Sequence, residues 1–354
     1  MNATIEFLNA TNEFNNATNE SLSYDEHLTL PEQIFYLVNG SLGSIFNVIV
    51  LFIALLHADT YDKPRQIIVI NMTFADLMTC LIYMLTRPYL GQFYGALCYP
   101  YYVAIFTSQL CSCVNLLWLN VDKLIFIKFP LHYYTIVSRK KILIVTVATW
   151  SSLILLGLIM YCFMTVKRAC NYVILSPLIY LPICVVYIVI ITICFVISSI
   201  IYLIARNSRR MEPGARSKLF QRLFFVFSST LWTFITCLPY RLVYLINGIW
   251  PPSNPPSNSD LLFMQLGNAF YFFLVVGIVI NPIITIVTQR LYRNCLLIYL
   301  RKACICLQYN HLRGVVQTRL SFDVDGNAPR VSVSIARSSM NKSEDLETSK
   351  LANF

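Results

Sequence analysis

Residues 175–205 read LSPLIYLPICVVYIVIITICFVISSIIYLIA and contain no charged side chain. A helix needs roughly 20 consecutive apolar residues to cross the hydrocarbon core of a bilayer, and only elements that satisfy their own backbone hydrogen bonds persist there. The sequence therefore predicts an all-α membrane protein, a seven-transmembrane helix bundle. Six further stretches of this kind predict the other spans, at 33–57, 65–88, 98–123, 141–162, 217–249 and 262–288.

The composition agrees with a single membrane domain. Hydrophobic residues make up 57% of the chain and charged residues 12%, whereas soluble domains have about 25% charged residues. The net charge of +10 fits basic clusters that face anionic membrane lipids. No basic and aromatic motif of a nucleic-acid-binding module is present, so we expect no nucleic acid partner.

The basic residues are concentrated in alternate connections between the predicted spans. Of the 27 Lys and Arg residues, 23 lie in the first, third and fifth connections and in the tail after the last span. Three lie in the alternate connections, none lies in residues 1–32, and Arg241 lies within a span. The positive-inside rule places the N-terminus outside and the C-terminus in the cytoplasm, as expected for a multi-pass protein of the plasma membrane.

The first 32 residues predict an extracellular, glycosylated N-tail. They are polar and acidic, and they lack the positively charged start and apolar core of a cleavable signal peptide. The acidic side chains either steer basic peptides toward the protein or belong to a solvated tether. Four Asn-x-Ser/Thr triplets predict glycosylation, at Asn2, Asn9, Asn16 and Asn19.

The segment after the receptor-like core at 33–288 predicts a short amphipathic surface helix at residues 289–306. Apolar side chains recur there at helical spacing among Arg and Lys residues, a pattern typical of a helix on the membrane surface. Cys304 and Cys306 lie at its end and suit palmitoylation, with two unmodified thiols as the alternative. Residues 307–354 are polar and Ser-rich and predict a disordered cytoplasmic tail.

Two cysteines are placed on the predicted outer side, where the compartment is oxidising. Cys98 starts the third span and Cys170 follows the fourth, so a disulfide between them is expected. Cys162 is a weaker rival partner for Cys98.

Asp76 is the most deeply buried acid of the predicted spans. Ser112, Asn281 and Asn47 are placed to converge on it, and such oxygen donors suit a hard cation such as sodium. A hydrated packing cluster is the alternative. Pro282, beside Asn281, and Pro239 lie inside adjacent spans, where each bends its helix and permits movement.

Motifs in all seven spans occur together in one order and spacing, although each alone is unspecific. The set resembles the rhodopsin-like (class A) G-protein-coupled receptors over about residues 33–306. The residues that carry the resemblance are Asn47, Ala75-Asp76, Cys98, Asp122-Lys123, Pro130-Leu131-His132-Tyr133, Trp150, Cys170, Tyr202, Pro239 and Asn281-Pro282.

The resemblance implies a receptor that binds an extracellular ligand and activates a heterotrimeric G protein, with arrestin as a further partner of its phosphorylated tail. It also implies a Cys98–Cys170 disulfide and a sodium pocket of Asp76, Ser112 and Asn281, with no other cofactor. The residues that match the family's ligand-pocket positions are Tyr102, Ile105, Phe106, Gln109, Tyr240, Arg241, Tyr244, Asn268 and Tyr271. The matching activation switches are Asp122, Lys123, Tyr202, Cys237, Pro239, Asn281 and Pro282.

Several switch motifs depart from the family pattern. Asp122-Lys123-Leu124 replaces Asp-Arg-Tyr, and Lys lacks the planar fork of Arg. Thr285 replaces the Tyr of the seventh span, and Cys194 replaces the Pro of the fifth. Cys237 occupies the Trp position of the sixth span, unless a one-residue deletion aligns Phe234 and Cys237 with the family's Phe and Cys. The sequence thus predicts an atypical member, and weak coupling is an alternative to normal coupling.

The pocket positions favour a peptide ligand, with a small anionic or lipid-like ligand as the alternative. Ile105 stands where aminergic receptors carry Asp, and residues 262–288 lack the Lys of retinal-binding opsins. Arg241 lies two residues beyond Pro239 and is a candidate partner for a ligand carboxylate, phosphate or peptide carbonyl. Its alternative is to extend outward into the vestibule without ligand contact.

Two other classes of function were weighed. An intramembrane enzyme needs paired acids, a metal cluster or a nucleophile with a base at depth, and Asp76 has no second deep acid beside it, so catalysis is not expected. A transporter or channel that uses Asp76 as its ion site is the rival class, although the chain has no internal repeat of the kind common in transporters.

Overall fold

The computed structural model describes residues 28–58, 60, 63–92, 98–161, 164–166, 173–175, 177–207, 213–250 and 258–322. The predicted glycosylation sites Asn2, Asn9, Asn16 and Asn19 lie outside these ranges, as do Cys162, Cys170 and the tail from residue 323.

Seven helices in the described residues are long and apolar enough to cross a membrane. This confirms the prediction of an all-α, seven-helix membrane protein, and the bounds follow the predicted spans closely because charged or Pro-containing connections separate the apolar runs. The helices are α1 Leu30–His57, α2 Arg65–Met78, α3 Cys98–Lys128, α4 Arg139–Tyr161, α5 Pro177–Asn207, α6 Pro213–Ile249 and α7 Asn258–Thr288.

Between α4 and α5 lies a small antiparallel pair of strands that the sequence analysis did not predict. Strand β1 spans Met164–Val166 and strand β2 spans Val173–Leu175, and Thr165 pairs with Ile174. Val, Ile and Thr in these strands suit extended backbone.

Helix α1 begins at Leu30, inside the segment 1–32 that we predicted as N-tail. Glu32 accepts hydrogen bonds from both the backbone N–H and the hydroxyl of Thr29, each at 2.9 Å. Thr-x-x-Glu with Pro31 in the first turn is a helix-start signal, so the boundary at residue 32 was placed too late.

The helical winding changes at the predicted outer end of α2. A π-helical segment, Thr79–Met84, follows α2, and a 3-10 helix spans Arg87–Gln92. The Leu85 N–H donates to the Cys80 carbonyl at 3.1 Å, which is the wider i to i+5 hydrogen bond of a π-turn. The uniform span predicted at 65–88 missed this change, because hydrophobic periodicity does not report one inserted residue.

Apolar side chains cover both the interior and the membrane-facing surface of the bundle. The largest buried cluster includes Val50, Ile53, Met72, Leu119 and Tyr292. Large apolar side chains also point outward, and the exposed fraction is 71% for Leu55 and 68% for Ile144. Such exposure suits a surface that contacts lipid tails rather than water.

Helix α8, Arg290–Phe322, follows α7 after one residue. It extends beyond the predicted surface helix at 289–306, so residues 307–322, which we predicted as disordered tail, are helical instead. The chain divides into one compact unit that ends at Leu297 and a second that begins at Ile298. Within the first unit, the hydroxyl of the fully buried Tyr292 donates to Gln66 at 3.1 Å and fixes the start of α8 against α2.

Candidate functional site

Arg241 points into the helix bundle. It lies on α6 just beyond Pro239, and its exposed fraction is 9%. Its Nη2 donates to Oε1 of Gln109 on α3 at 3.2 Å, and its guanidinium lies 4.1 Å from the ring centroid of Tyr187 and 5.5 Å from that of Tyr240. Arg241 is therefore directed inward in this conformation, and its contact with a ligand stays a prediction.

Tyr187 on α5 is a site residue that the sequence analysis missed. It is 3% exposed, and its hydroxyl makes no hydrogen bond to the described residues. A buried hydroxyl without a partner carries a desolvation cost and calls for an explanation, and its ring already stacks on the guanidinium of Arg241. The sequence signal that could have identified Tyr187 is a single Tyr in an otherwise aliphatic stretch of the fifth span.

A row of tyrosines joins α6 to α7 beside this group. The ring of Tyr240 lies 5.8 Å from Tyr244 and 5.2 Å from Tyr271, measured between centroids. Such rings contribute apolar area and leave hydroxyls for polar contacts. The structure therefore brings together Gln109, Tyr240, Arg241, Tyr244 and Tyr271.

The remaining predicted pocket residues are not part of the group around Arg241. Ile105 and Phe106 are half-buried on α3, and Phe106 packs with Leu110 and Ile183. Tyr102 is half-buried on α3 and interacts electrostatically with Arg87, which begins the 3-10 helix after α2. Asn268 lies on α7 with an exposed side chain.

Cys98 at the start of α3 is fully buried and takes part in a disulfide bond. Both candidate partners, Cys170 and its rival Cys162, lie outside the described residues. The pairing with Cys170 stays a prediction.

The predicted sodium pocket has oxygen donors in contact. Asp76 is 4% exposed, and its carboxylate is within hydrogen-bonding reach of the side chains of Ser112 and Asn281. The Oδ1 of Asn281 is buried and makes no hydrogen bond to the described residues, so it is an available neutral oxygen ligand. These three side chains fit the oxygen ligands that a hard cation prefers.

Asn47, which we also expected near Asp76, is oriented differently. It is fully buried, and its amide nitrogen donates to the Gly43 carbonyl at 2.9 Å and to Sγ of Cys80 at 3.8 Å. Asn47 thus ties α1 to the π-helical segment instead of contributing to the cluster on Asp76.

On the predicted inner side, the altered Asp-Lys-Leu motif forms a compact polar group. Nζ of Lys123 lies 3.3 Å from Oδ2 of Asp122, and the hydroxyl of Tyr133 donates to Oδ1 of Asp122 at 2.7 Å. Lys123 and Asp122 are each 4% exposed. Burial, reinforced by the Asp122 carboxylate, raises the pKa of Tyr133, so its phenol stays protonated and donates.

A second polar contact joins α3 to α6 near the inner side. The amide nitrogen of Asn120 donates to Oγ1 of Thr230 at 2.9 Å, and the exposed fractions are 0% and 1%. The sequence analysis did not identify this pair, because two uncharged side chains 110 residues apart give no local signal.

The other predicted switch residues lie at helix contacts. Tyr202 on α5 stacks on Phe227 of α6, with centroids 5.2 Å apart, and Thr285 donates to the carbonyl of Asn281 at 3.2 Å. Pro282 and Pro239 lie inside their helices.

The sixth helix carries its Trp outside the position that the family motif predicts. Cys237 occupies that position and is half-buried. Trp232 instead donates from Nε1 to the carbonyl of Gly277 on α7 at 3.0 Å, and Phe234 stacks on Phe195 of α5 with centroids 4.2 Å apart. Trp232 therefore links α6 to α7. The alternative alignment, which matches Phe234 and Cys237 to the family's Phe and Cys, stays open.

Comparison with known proteins adds two matches. A family model described as 7 transmembrane receptor (rhodopsin family) matches residues 46–284. The Caenorhabditis elegans protein named G-protein coupled receptor aex-2 is 53% identical over 269 residues, which cover 76% of this chain and 83% of that protein.

Proposed function

The chain belongs to the rhodopsin family of seven-transmembrane receptors, and we propose that it converts the binding of an extracellular peptide into activation of a heterotrimeric G protein. It is a multi-pass membrane protein and a receptor rather than an enzyme. The proposed orientation places the N-terminus outside the plasma membrane and α8 in the cytoplasm, in line with the distribution of Lys and Arg.

The arrangement of Arg241 carries the proposal for the ligand. A guanidinium inside the bundle, held by the Gln109 amide and the Tyr187 ring, presents charged donors toward the outer half of the helices. Charged donors of this kind bind carboxylates and peptide carbonyls strongly. The tyrosines on α6 and α7 offer the mixed apolar and polar surface that a peptide side chain needs.

The test of this site is Arg241→Ala. A peptide library screened through reporters for each G-protein class supplies an agonist. With that agonist, the half-maximal concentration should rise by about 10-fold or more, because a charged hydrogen bond is lost. Arg301→Ala, an exposed Arg on α8, is the matched control. An unchanged dose–response at normal surface expression would refute the role of Arg241.

The same screen separates the peptide proposal from its alternative. A small anionic or lipid-like ligand also pairs with Arg241, so both ligand classes are applied in parallel. A response to peptides that survives removal of free fatty acids and small carboxylates supports the peptide. A response only to the small anions would overturn it.

Activation is proposed to proceed by a shift between two existing conformations. The inner half of α6 swings about the bend at Pro239, which requires the Asn120–Thr230 hydrogen bond to α3 to break. The basic groups at Arg139, Lys140 and Lys141 border the cavity that then admits the G protein.

Sodium is proposed to bind at Asp76, Ser112 and Asn281 and to favour the inactive conformation. The residues supply a carboxylate, a hydroxyl and an unpaired amide oxygen. Replacing sodium with choline should raise basal signalling of the wild-type receptor. Asp76→Asn should abolish that salt effect, and a salt effect that persists in Asp76→Asn would argue against the site.

A transporter or channel that uses Asp76 as its ion site is the rival of a different class. Substrate flux into vesicles that contain the purified protein would favour it. Agonist-dependent nucleotide exchange on a G protein would favour the receptor.

Palmitoylation and arrestin binding are proposed at the cytoplasmic side. Cys304 and Cys306 are exposed on α8, as acylation requires. Phosphorylation of the tail would add negative charge, and arrestin would bind the phosphorylated tail.

A further inference from the structure

Helices α6 and α7 approach each other closely at Gly277. This residue is buried inside α7, although glycine weakens a helix interior relative to alanine. A methyl group at position 277 would lie 2.8 Å from both Cβ and Oγ1 of Thr236 on α6, and 3.0 Å from its Cγ2. Nonbonded carbon atoms are ordinarily about 3.5–4.0 Å apart. The close contact of the two helices therefore requires glycine at this position.

A hydrogen bond joins the two helices at the same point. Nε1 of Trp232 on α6 donates to the carbonyl oxygen of Gly277 at 3.0 Å. The indole ring also lies edge-on against Phe273, with centroids 5.9 Å apart. Phe273 and Gly277 are four residues apart and so share one face of α7. Trp232 thus contacts that face through both its N–H group and its ring.

Thr236 is held in place on α6. Its side chain is 2% exposed, and its hydroxyl donates to the carbonyl oxygen of Trp232 at 2.8 Å. A β-branched side chain has few rotamers in a helix, and this hydrogen bond fixes the one that Thr236 adopts. A side chain added at position 277 would therefore displace the backbone of α6 instead of turning Thr236 aside.

The contact lies on the part of α6 that is proposed to move. Thr236 and Trp232 precede Pro239 by three and seven residues, which places them about 4.5 and 10.5 Å from the bend along the helix axis. Because displacement grows with distance from the bend, a swing about Pro239 moves Trp232 away from α7 more than it moves Thr236. Thr230 joins the same part of α6 to α3, so this half of α6 is attached to both neighbours.

We propose that Trp232, Thr236 and Gly277 form a lock between α6 and α7 that holds the receptor inactive and opens on activation. The inference rests on the proposed receptor function. The three are positioning residues, since they act through the placement of α6 and not by contact with ligand or G protein. Opening the lock breaks the hydrogen bond from Trp232 to Gly277. A substitution that weakens the lock destabilises the inactive conformation, so the equilibrium shifts toward the active one.

The first test crowds the lock in the absence of ligand. Gly277→Ala should raise basal nucleotide exchange on a purified G protein by about 10-fold, because overpacking disfavours the closed contact. The full-length receptor is assayed in lipid nanodiscs with G proteins of each class. Gly157→Ala is the matched control, since its methyl would lie 2.9 Å from Cγ1 of Val103 in the contact between α4 and α3. Basal exchange should be unchanged in that control, and equal exchange in the wild type and Gly277→Ala would overturn the lock.

A compensating substitution distinguishes the lock from general damage to packing. Thr236→Gly removes the side chain that the new methyl group meets. In the Thr236→Gly background, Gly277→Ala should therefore raise basal exchange by less than about 2-fold, as expected for two residues that act through one contact. A 10-fold increase that persists in a folded double variant would overturn the steric contact as its cause.

The second test observes the hydrogen bond itself. Trp232 is one of four tryptophans, so its fluorine resonance in receptor labelled with fluorotryptophan is identified by its loss in Trp232→Phe. Saturation with nucleotide-free G protein should shift this resonance, because the indole N–H leaves the carbonyl of Gly277. The resonance of Trp118, which is 37% exposed on α3, is the internal reference. An unshifted Trp232 resonance in the G-protein complex would show that α6 and α7 move together and would overturn the lock.

Trp232→Phe also gives a functional readout. It keeps an aromatic ring and removes the N–H donor, so basal exchange should rise by about 5-fold, whereas Trp118→Phe should leave it unchanged. Exchange that is equal in the wild type, Gly277→Ala and Trp232→Phe would refute the lock alone. No exchange by any of the three on any G-protein class would refute the proposed function and the lock with it.

Discussion

A cationic side chain is packed at each end of the bundle, and the two have different neighbours. At the inner end, Lys123 lies 3.3 Å from the carboxylate of Asp122, which also accepts a hydrogen bond from Tyr133. At the outer end, Arg87 lies among tyrosines and, within the described residues, has no carboxylate partner. The inner charge is neutralised by a neighbouring carboxylate, whereas no carboxylate of the described residues forms an ion pair with the outer charge.

This difference agrees with the functions proposed for the two ends: the inner end stabilises one conformation and the outer end binds the ligand. A group that holds one conformation must be satisfied in that conformation, since a buried ion is stable only with its partner and hydrogen bonds. A group that receives a ligand must keep donors available, since binding energy comes from interactions that the free protein lacks. Stability and reception are therefore expected to depend on different residues, and substitutions can test that separation.

The largest effect is expected from Asp122→Ala. The variant leaves Lys123 buried without that carboxylate, and the free energy of unfolding should fall by about 3 kcal/mol, measured by thermal unfolding in nanodiscs. Arg87→Gln, which removes no ion pair within the described residues, should change it by less than about 1 kcal/mol. Asp122→Ala combined with Lys123→Met should recover most of the loss. An equal decrease in the free energy of unfolding for Asp122→Ala and Arg87→Gln would contradict the proposed difference between the two ends.

A smaller effect is expected at the contact between α3 and α6. Asn120→Leu removes the hydrogen bond to Thr230, so basal nucleotide exchange per receptor should rise by about 10-fold, the equivalent of about 1.4 kcal/mol. Thr230→Val removes the same bond with little change in volume and should act similarly. Basal exchange in the double variant should not exceed that of either single variant. Additive increases would show that the two residues do not act through one shared hydrogen bond.

Tyr187→Phe probes the outer end at a single hydroxyl. The hydroxyl has no hydrogen bond to the described residues, so the unfolding midpoint should stay within error. The half-maximal agonist concentration should rise by about 5-fold if the ligand accepts this bond. Tyr134→Phe, on a residue that is 70% exposed at the inner side, is the control. A loss of stability without a loss of potency would make Tyr187 a packing residue instead.

The smallest effect is expected from Lys123→Arg. Arg keeps the charge and adds a planar fork, so G-protein coupling should not decrease. The measurement is agonist-stimulated nucleotide exchange at matched surface expression. A marked loss would show that Lys at this position is adapted to its partner.

The sequence was sufficient for the fold, because the signals that decide it are long and repetitive. Seven apolar runs, separated by polar connections, predicted the helices, and the motif set predicted the family. The missed features depend on single residues. The π-turn before Arg87 needs only one extra residue, and the helical continuation to Phe322 falls in a polar segment without apolar periodicity.

The candidate site was predicted in part. Arg241 and Gln109 were identified from family positions and are joined by a hydrogen bond. Asp76 lies within hydrogen-bonding reach of Ser112 and Asn281, and sodium binding there stays a prediction. Tyr187 and the pair of Asn120 and Thr230 were missed, because their contacts are with residues far away in the sequence, as for Asn120 and Thr230. Helix rotation decides such contacts, and local sequence does not specify it.

The most direct test of the account is agonist-dependent nucleotide exchange by the purified receptor in nanodiscs, measured on purified G proteins of each class. For the wild-type receptor, a peptide from the library screen should accelerate exchange saturably on at least one class, and Arg241→Ala should require a concentration about 10-fold higher or more. A folded receptor that binds the peptide but accelerates exchange on no class would contradict the account.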